Sequence, residues 1–343
     1  MSTFVTILVA VLIFGFLIMT HEYGHFLAAR RMGVDVLEFS VGMGPLLWKK
    51  KKGATQYSVR ALPIGGYCRM KGEEEDEEGD WEAEGCLYAA PPAKRIVIMA
   101  AGACMNLLTA VLIFFILLCM NGTDATTVIS AVAEGSPAME AGIEAGDKII
   151  RIDDTDILRW EDITFSIREG TGEEVTVTVI KASGEQKSYT MVPRYDESQG
   201  AYLIGISPRI KTNVFKALGR SFYLTGYYMI LILRLLGQII TGKMGMEAFS
   251  GPIGATVIIG QYIPYGIQYV LEIAASIAVS LGLFNLLPIP ALDGSRIVFC
   301  LIELIKGSPV NRDLEAKIHT VGMILLLIFA AFIAYRDVIT YIL

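Results

Sequence analysis

Histidine is nearly missing from this chain: among 343 residues there are three, His21, His25 and His319. Cysteine is scarce as well, with Cys68, Cys86, Cys104, Cys119 and Cys300 and no Cys-x-x-Cys pair, which excludes a thiolate zinc ribbon. None of the five lies between residues 121 and 213, so that stretch holds no disulfide framework. Metal chemistry, if there is any, must run through His, Glu and Asp. Charge is thin too, at 19% of residues, and the net charge of -6 owes much to the run Glu73-Glu74-Glu75-Asp76-Glu77-Glu78, read as a solvated loop. No basic patch points to nucleic acid.

What the chain has in quantity is apolar sequence, 53% of residues, gathered in blocks. Four segments read as spanning helices: 4–25, 96–120, 267–287 and 319–342. The first lacks a positive leader and a small-residue cleavage site, so it reads as a retained span and not a signal peptide. Lys and Arg accumulate on the cytoplasmic side of membrane proteins. Arg30, Arg31, Lys49 to Lys52, Lys94 and Arg95 follow the first span, and Lys306, Arg312 and Lys317 lie between the last two. Both loops are therefore assigned to the cytoplasm, with the termini and 121–213 outside. The stretch Val214 to Lys243 is apolar but carries Arg220 and Arg234, whose charge is costly in lipid, and is expected to be an interfacial or re-entrant amphipathic helix.

At the cytoplasmic end of the first span stands His21-Glu22-Tyr23-Gly24-His25. Histidines four apart share one helix face and can hold one metal ion, with the intervening glutamate placed to act on a water that the metal activates. A catalytic zinc site normally has three protein ligands. His319, at the start of the last span, reads as an interfacial residue. Asp293 is the better third ligand, because an aspartate directly after a spanning helix is expensive unless paired, and a dication held by two histidines would pair it. Pro288 and Pro290 break the helix before it.

The histidine motif on the first span, together with Asn285-Leu286-Leu287-Pro288-Ile289-Pro290-Ala291-Leu292-Asp293-Gly294 after the third, resembles the site-2 proteases, the intramembrane zinc metalloproteases, in their bacterial RseP/RasP-type branch. The resemblance covers nearly the whole chain. It implies Zn2+ held by His21, His25 and Asp293, Glu22 as general base, and Asn285 as a residue that holds substrate backbone. Phe39 to Pro45, with Gln56 to Arg60 and Leu62 to Tyr67, looks like the family's membrane-associated β-loop beside the active site, which makes Gly42, Met43 and Gly44 candidate substrate-binding residues. These are short alternating strands set off by glycines, and a free strand edge could take an extended peptide by β-addition. Ala100 to Asn106 is similar to a family segment that usually has proline where Ala103 stands; the small residues suit close helix packing, with Asn106 as interhelical glue.

Residues 122–208 read as a soluble domain. A proline-led helix is expected over Ser136 to Ile143, a strand over Lys148 to Ile152, a second helix over Trp160 to Glu169, and a hairpin of Glu174 to Ile180 with Gln186 to Val192. This order resembles a PDZ domain, which takes a peptide as an added strand.

The expected architecture is a polytopic α-helical membrane protein with four spanning helices, a membrane-associated β-loop and an extracytoplasmic α+β PDZ domain. Its parts are 1–121 (two spans, the histidine pair and the β-loop), 122–208 (PDZ), 209–266 (interfacial segment) and 267–343 (two spans and the third ligand). The implied activity is intramembrane endopeptidase cleavage of single-span membrane proteins, such as anti-sigma factors or signal-peptide remnants, near the cytoplasmic face of a bacterial plasma membrane. The lipid bilayer and peptide segments at the PDZ domain are the other expected partners. The alternative is a noncatalytic PDZ-bearing membrane scaffold with a structural metal site.

Overall fold

A computed structural model describes residues 3–73, 83–168, 172–197, 200–245 and 250–341. Within the acidic run only Glu73 is described; residues 74–78, and Glu169 at the end of the expected second PDZ helix, lie outside the described residues. The chain divides into two compact units, residues 1–115 with 221–343, and residues 116–220.

The first unit is built on long apolar helices. Helix α1 (Thr3–Met32) has no acid in its first turn and ends on Arg30 and Arg31, a charge pattern that suits the negative end of a helix dipole. A two-stranded sheet of long strands follows, β1 (Val36–Lys52) and β2 (Thr55–Met70). Both strands are bent, so β1 pairs twice: Phe39 faces both Cys68 and Tyr57, while Lys50 faces Tyr57 and Lys52 faces Thr55. The result is four short arms side by side, in the order 46–52, 55–60, 36–43, 62–70. Gly42 and Gly44 make the bend in β1 with φ of +85° and +82°, a region that a residue with a Cβ enters only with strain. The second arm is locked by Arg60, which donates to Gly44 O (2.9 Å), Glu38 Oε1 (3.1 Å) and Tyr67 Oη (2.6 Å).

Helix α2 (Pro92–Asn121) opens on a proline, whose missing N–H costs nothing in a first turn. The second unit then holds β3 (Asp124–Val132), α3 (Pro137–Ala141), β4 (Lys148–Ile152), β5 (Thr155–Asp156), α4 (Trp160–Arg168), β6 (Val175–Ile180), β7 (Gln186–Met191), β8 (Arg194–Asp196), β9 (Ala201–Leu203) and β10 (Ile206–Lys211). Its main sheet runs β10-β3-β4-β6-β7, with β5 on β4. Ser136 caps α3, its Oγ accepting from Met139 N, and Gly142 closes the helix in the left-handed region. The core is almost entirely branched aliphatic, with Ile129, Ile149, Val177 and Val179 fully buried. The expected helices and hairpin are all present. Strand β10 runs three residues past the expected boundary at 208.

The chain returns to the first unit through α5 (Val214–Ile240) and continues as α6 (Pro252–Tyr262), α7 (Ile267–Leu286), α8 (Asp293–Lys306) and α9 (Arg312–Tyr341). Among the described residues five helices, α1, α2, α5, α7 and α9, are long and apolar enough to cross a membrane, α5 being the least apolar with a mean hydropathy of 1.4. The length and composition of these helices are those of a multi-pass membrane protein. Helix α8 is the element that hydropathy did not announce. A buried ion pair between Arg95 at the start of α2 and Glu303 fixes it, as does a 2.6 Å pair between Arg296 and Glu73. Glu73 is thus bound to a helix and not merely solvated.

Candidate metal centre

Three polar side chains converge where α1, α2 and α8 meet. His21 and His25 lie one turn apart on the buried face of α1, and Asp293 is the first residue of α8. His21 Nε2 stands 3.1 Å from His25 Nε2, and Asp293 Oδ2 stands 3.1 Å and 3.3 Å from those two nitrogens. Ligands of a tetrahedral zinc with metal–nitrogen bonds near 2.0–2.1 Å lie about 3.3 Å apart, so the triangle matches such a coordination face.

The hydrogen bonds around the triangle say what the three atoms are for. His25 Nδ1 lies 2.8 Å from Ile98 O. A carbonyl only accepts, so the ring proton sits on Nδ1 and a neutral His25 turns a bare Nε2 lone pair on its neighbours. Asp293 Oδ2 is buried with no hydrogen-bond partner among the described residues, a costly state for a carboxylate unless a cation completes it. The His25 lone pair and the anionic Asp293 oxygen converge with His21 Nε2 on one point, and a dication there would relieve their repulsion. The donor set fits zinc, with two imidazoles and one carboxylate.

Space for the ion is made by glycine. A methyl group on Gly102 of α2 would lie 2.8 Å from His21 Nε2 and closer still to His25 Nε2. One at Gly24 would overlap the Ala101 carbonyl, so α1 and α2 touch backbone to backbone beside the histidines. Asn106, on the same helix, is buried, with its amide 3.4 Å from His21 Nδ1 and 3.3 Å from Thr20 Oγ1. Asn106 thus bridges α1 and α2, and its far end is one of the two converging histidines.

Asp293 reaches the site through a strained turn. Helix α7 stops at Leu286, Pro288 and Pro290 forbid its continuation, and Ala291 adopts φ +78°. A Cβ on Gly294 would strike the Leu286 and Leu287 carbonyls. The turn is held from outside by His319, whose Nδ1 accepts from Ala291 N at 3.1 Å, while Gly322 packs against Pro290. His319 is therefore a partner of this turn. Sequence reading missed this because one histidine without a helical neighbour carries no spacing signal.

Glu22 stands between the two histidines on α1. Its Oε2 accepts from Cys68 N at 3.0 Å, on the outer arm of β2, and it lines a polar cavity of about 620 Å³ with Glu38, Tyr67, Arg69 and Glu73. Burial pushes the Glu38 carboxyl up, but hydrogen bonds from Ser58, Tyr67 and Arg60 outweigh it and hold it at about 2. Asn285 sits in the last turn of α7, half-buried, and its amide makes no hydrogen bond to the described residues. Gly42, Met43 and Gly44 form the bend in β1; Gly42 is buried against the Arg60 and Leu62 carbonyls, and the Met43 side chain reaches Gly65.

Spanning helices that hold a His-Glu-x-x-His turn against a remote aspartate define a membrane-embedded zinc metallopeptidase of the site-2 protease type. The chain belongs to peptidase family M50, whose profile matches residues 9–329. It is 36% identical over 339 residues to a Clostridium acetobutylicum protein that carries a zinc metalloprotease name, with 98% of each chain covered. It is 28% identical to the zinc metalloprotease RasP of Geobacillus kaustophilus, again with 98% of each chain covered. Among solved structures, the PDZ domain of an SdrC-like protein from Listeria monocytogenes covers 25% of this chain and 88% of its own, at 21% identity and a TM-score of 0.22.

Proposed function

We propose that this zinc metalloprotease cuts single-span membrane proteins, anti-sigma factors or signal-peptide remnants among them, just inside the cytoplasmic face of a bacterial plasma membrane. The observation that carries the reading is the triangle of His21, His25 and Asp293, with Glu22 beside it in a polar cavity. In this reading the three residues hold zinc, which when bound polarises the scissile carbonyl and makes water acidic enough to be deprotonated near neutral pH. Glu22, steadied by the Cys68 N–H, takes the proton from water and delivers it to the leaving amine. The cavity that Glu22 lines supplies water from the cytoplasmic side.

A substrate helix hides its carbonyls in its own hydrogen bonds and must be unwound before it is cut. The outer arm of β2 is an edge of the sheet, which supports strand addition along its stretch before Cys68, since the N–H groups of Cys68 and Met70 are bonded to Glu22 and Glu73. Asn285 and the bend at Gly42, Met43 and Gly44 would grip the extended chain. An apolar cavity of about 380 Å³ between Phe14, Ile232, Leu236, Ile277 and Phe284 offers room for a few apolar side chains of a substrate.

Helix α5 supports the re-entrant reading. Tyr228, midway along it, bonds Glu272 near the start of α7, and its last turn shares that apolar cavity with Gly251, which packs against Asp337 near the end of α9. These contacts set α5 alongside α7, and a chain that turned back after α5 would keep the ends of α1 and α7 on one side. In the second unit, a cavity of about 210 Å³ between α4 and the run Leu203 to Ile206 is the place for a peptide strand, as in a PDZ groove, on the extracytoplasmic side.

The test is zinc content together with cleavage of a single-span test substrate in lipid. Glu22→Gln should keep zinc and lose at least 100-fold in rate, the scale of general-base catalysis. Asp293→Ala should lose both. Cleavage that survives Glu22→Gln would refute the mechanism.

A further inference from the structure

Four consecutive lysines, Lys49 to Lys52, close the outermost arm of the β1–β2 sheet, and all four are exposed. Their cross-strand neighbours are Ser58, Tyr57, Gln56 and Thr55, and among the described residues none of the four has an ion-pair partner. Along a strand, successive side chains point to opposite faces, so this charge is spread around the tip and not matched to one protein surface. Directly before it come Leu46, Leu47 and Trp48, exposed by 42%, 68% and 52%, joined across the sheet by exposed Val59 and Leu62. An apolar patch bearing a tryptophan and bordered by lysines is the pattern of a surface lying at the boundary of lipid tails and headgroups.

Beneath the tip is a polar cavity of about 530 Å³, where Lys52, Gly53 and Tyr57 face Arg30 from the last turn of α1. The Arg30 guanidinium is laid over the Phe26 ring, 5.5 Å from its centre, which holds it at the rim. Asp35 is the one acid in the lining. Because α1 is a membrane helix and Arg30 closes it, the cavity stands at headgroup depth. A phosphodiester carries one negative charge and two free acceptor oxygens, which an arginine fork and a lysine ammonium can share. Asp35 disfavours a dianion such as free phosphate, and a soluble anion would leave the apolar patch bare.

We propose that the Lys49–Lys52 tip and the Arg30 cavity form a binding site for anionic phospholipid headgroups of the phosphatidylglycerol class. Lipid bound there fixes the outer arm of the sheet to the leaflet, and with it the β2 edge on which Glu22 hangs. The site rests on the cytoplasmic placement of this loop in the proposed function, but its readout needs no proteolysis.

The full chain is exchanged into nanodiscs of mixed phosphatidylcholine and phosphatidylglycerol, recovered, and the lipid that stays bound is quantified by mass spectrometry. The wild type should retain phosphatidylglycerol in excess of its share, less so as salt is raised. Each lysine near a charged surface contributes about fivefold in affinity, so replacing all four with glutamine should cut the excess at least about fivefold, while replacing them with arginine should preserve it. Excess inorganic phosphate should leave the excess intact. Zinc content reports folding of each variant; if the fourfold glutamine variant loses zinc, Arg30→Gln combined with Lys52→Gln is read in its place with the same expectation. An excess unchanged in a zinc-loaded glutamine variant, or removed by inorganic phosphate, would overturn the proposal. Retention lost without loss of cleavage separates this site from the protease reading, since only the latter depends on Glu22→Gln.

Discussion

Gly102 shows how much a single missing methyl can decide. It fills no pocket and makes no polar contact, yet a Cβ there would occupy the space that the two imidazoles share. Gly102→Ala should therefore lower zinc occupancy well below one per chain while leaving helix content unchanged, read by atomic absorption beside circular dichroism. His319 makes the complementary case. Replacing it with phenylalanine keeps bulk but strands the part-buried Ala291 N–H, a loss of about 1 kcal/mol. The expected outcome is a lower thermal midpoint and weaker zinc retention under a chelator. Of these residues, His21, Glu22 and His25 were legible because helical spacing encodes a shared face. Asp293 was legible because charge beside a membrane span needs a partner. Gly102 and His319 were not, since each acts across a gap between elements that local pattern does not describe.

At the scale of the element, the β1–β2 sheet is organised around a buried acid. Glu38 is tied to Ser58 Oγ at 2.6 Å and to Arg60 at 3.1 Å, and its carboxyl is held at about 2, below the ordinary glutamate value of about 4.3. A group whose folded value is depressed stabilises the protein above its unfolded value, and that contribution fades as pH falls through the folded one. The sheet should accordingly hold from neutral pH to about 4 and loosen progressively toward pH 2. Hydrogen exchange of the Tyr57 and Tyr67 amides across that range would show the loss, and Glu38→Gln should be looser at neutral pH and flatter in its pH response. The strands themselves could be read from alternation and glycine punctuation. That both strands bend so that four arms lie side by side could not, because register is set by which bend lands on Gly42, Gly44 and Gly65. Helix α8 escaped notice for a related reason: its fourteen residues are amphipathic and too short for a span, and only the Arg95 and Glu73 ion pairs fix where it lies.

For the whole molecule the open quantity is parity. Five helices among the described residues have the length and composition to cross, and the joining of His21 and His25 to Asp293 requires the ends of α1 and α7 to face one side. With α5 re-entrant, a cysteine substituted at Gly242 should be labelled by a membrane-impermeant thiol reagent from the same side as one at Gly184 in the second unit. Labelling from the opposite side would mean that α5 crosses and that the short α6 region brings the chain back. Hydropathy could find the spans but not this count, since a helix with charges near its ends scores alike whether it lies in the interface or passes through. The bond from Cys68 N to Glu22 has a consequence for anyone who exchanges parts between relatives. In the proposed mechanism, a transplanted hairpin would bring its own angle for Glu22 along with its own grip on the peptide. Such chimaeras should differ in turnover number as well as in preference, and a switch in specificity without a change in speed should be hard to obtain from this sheet alone.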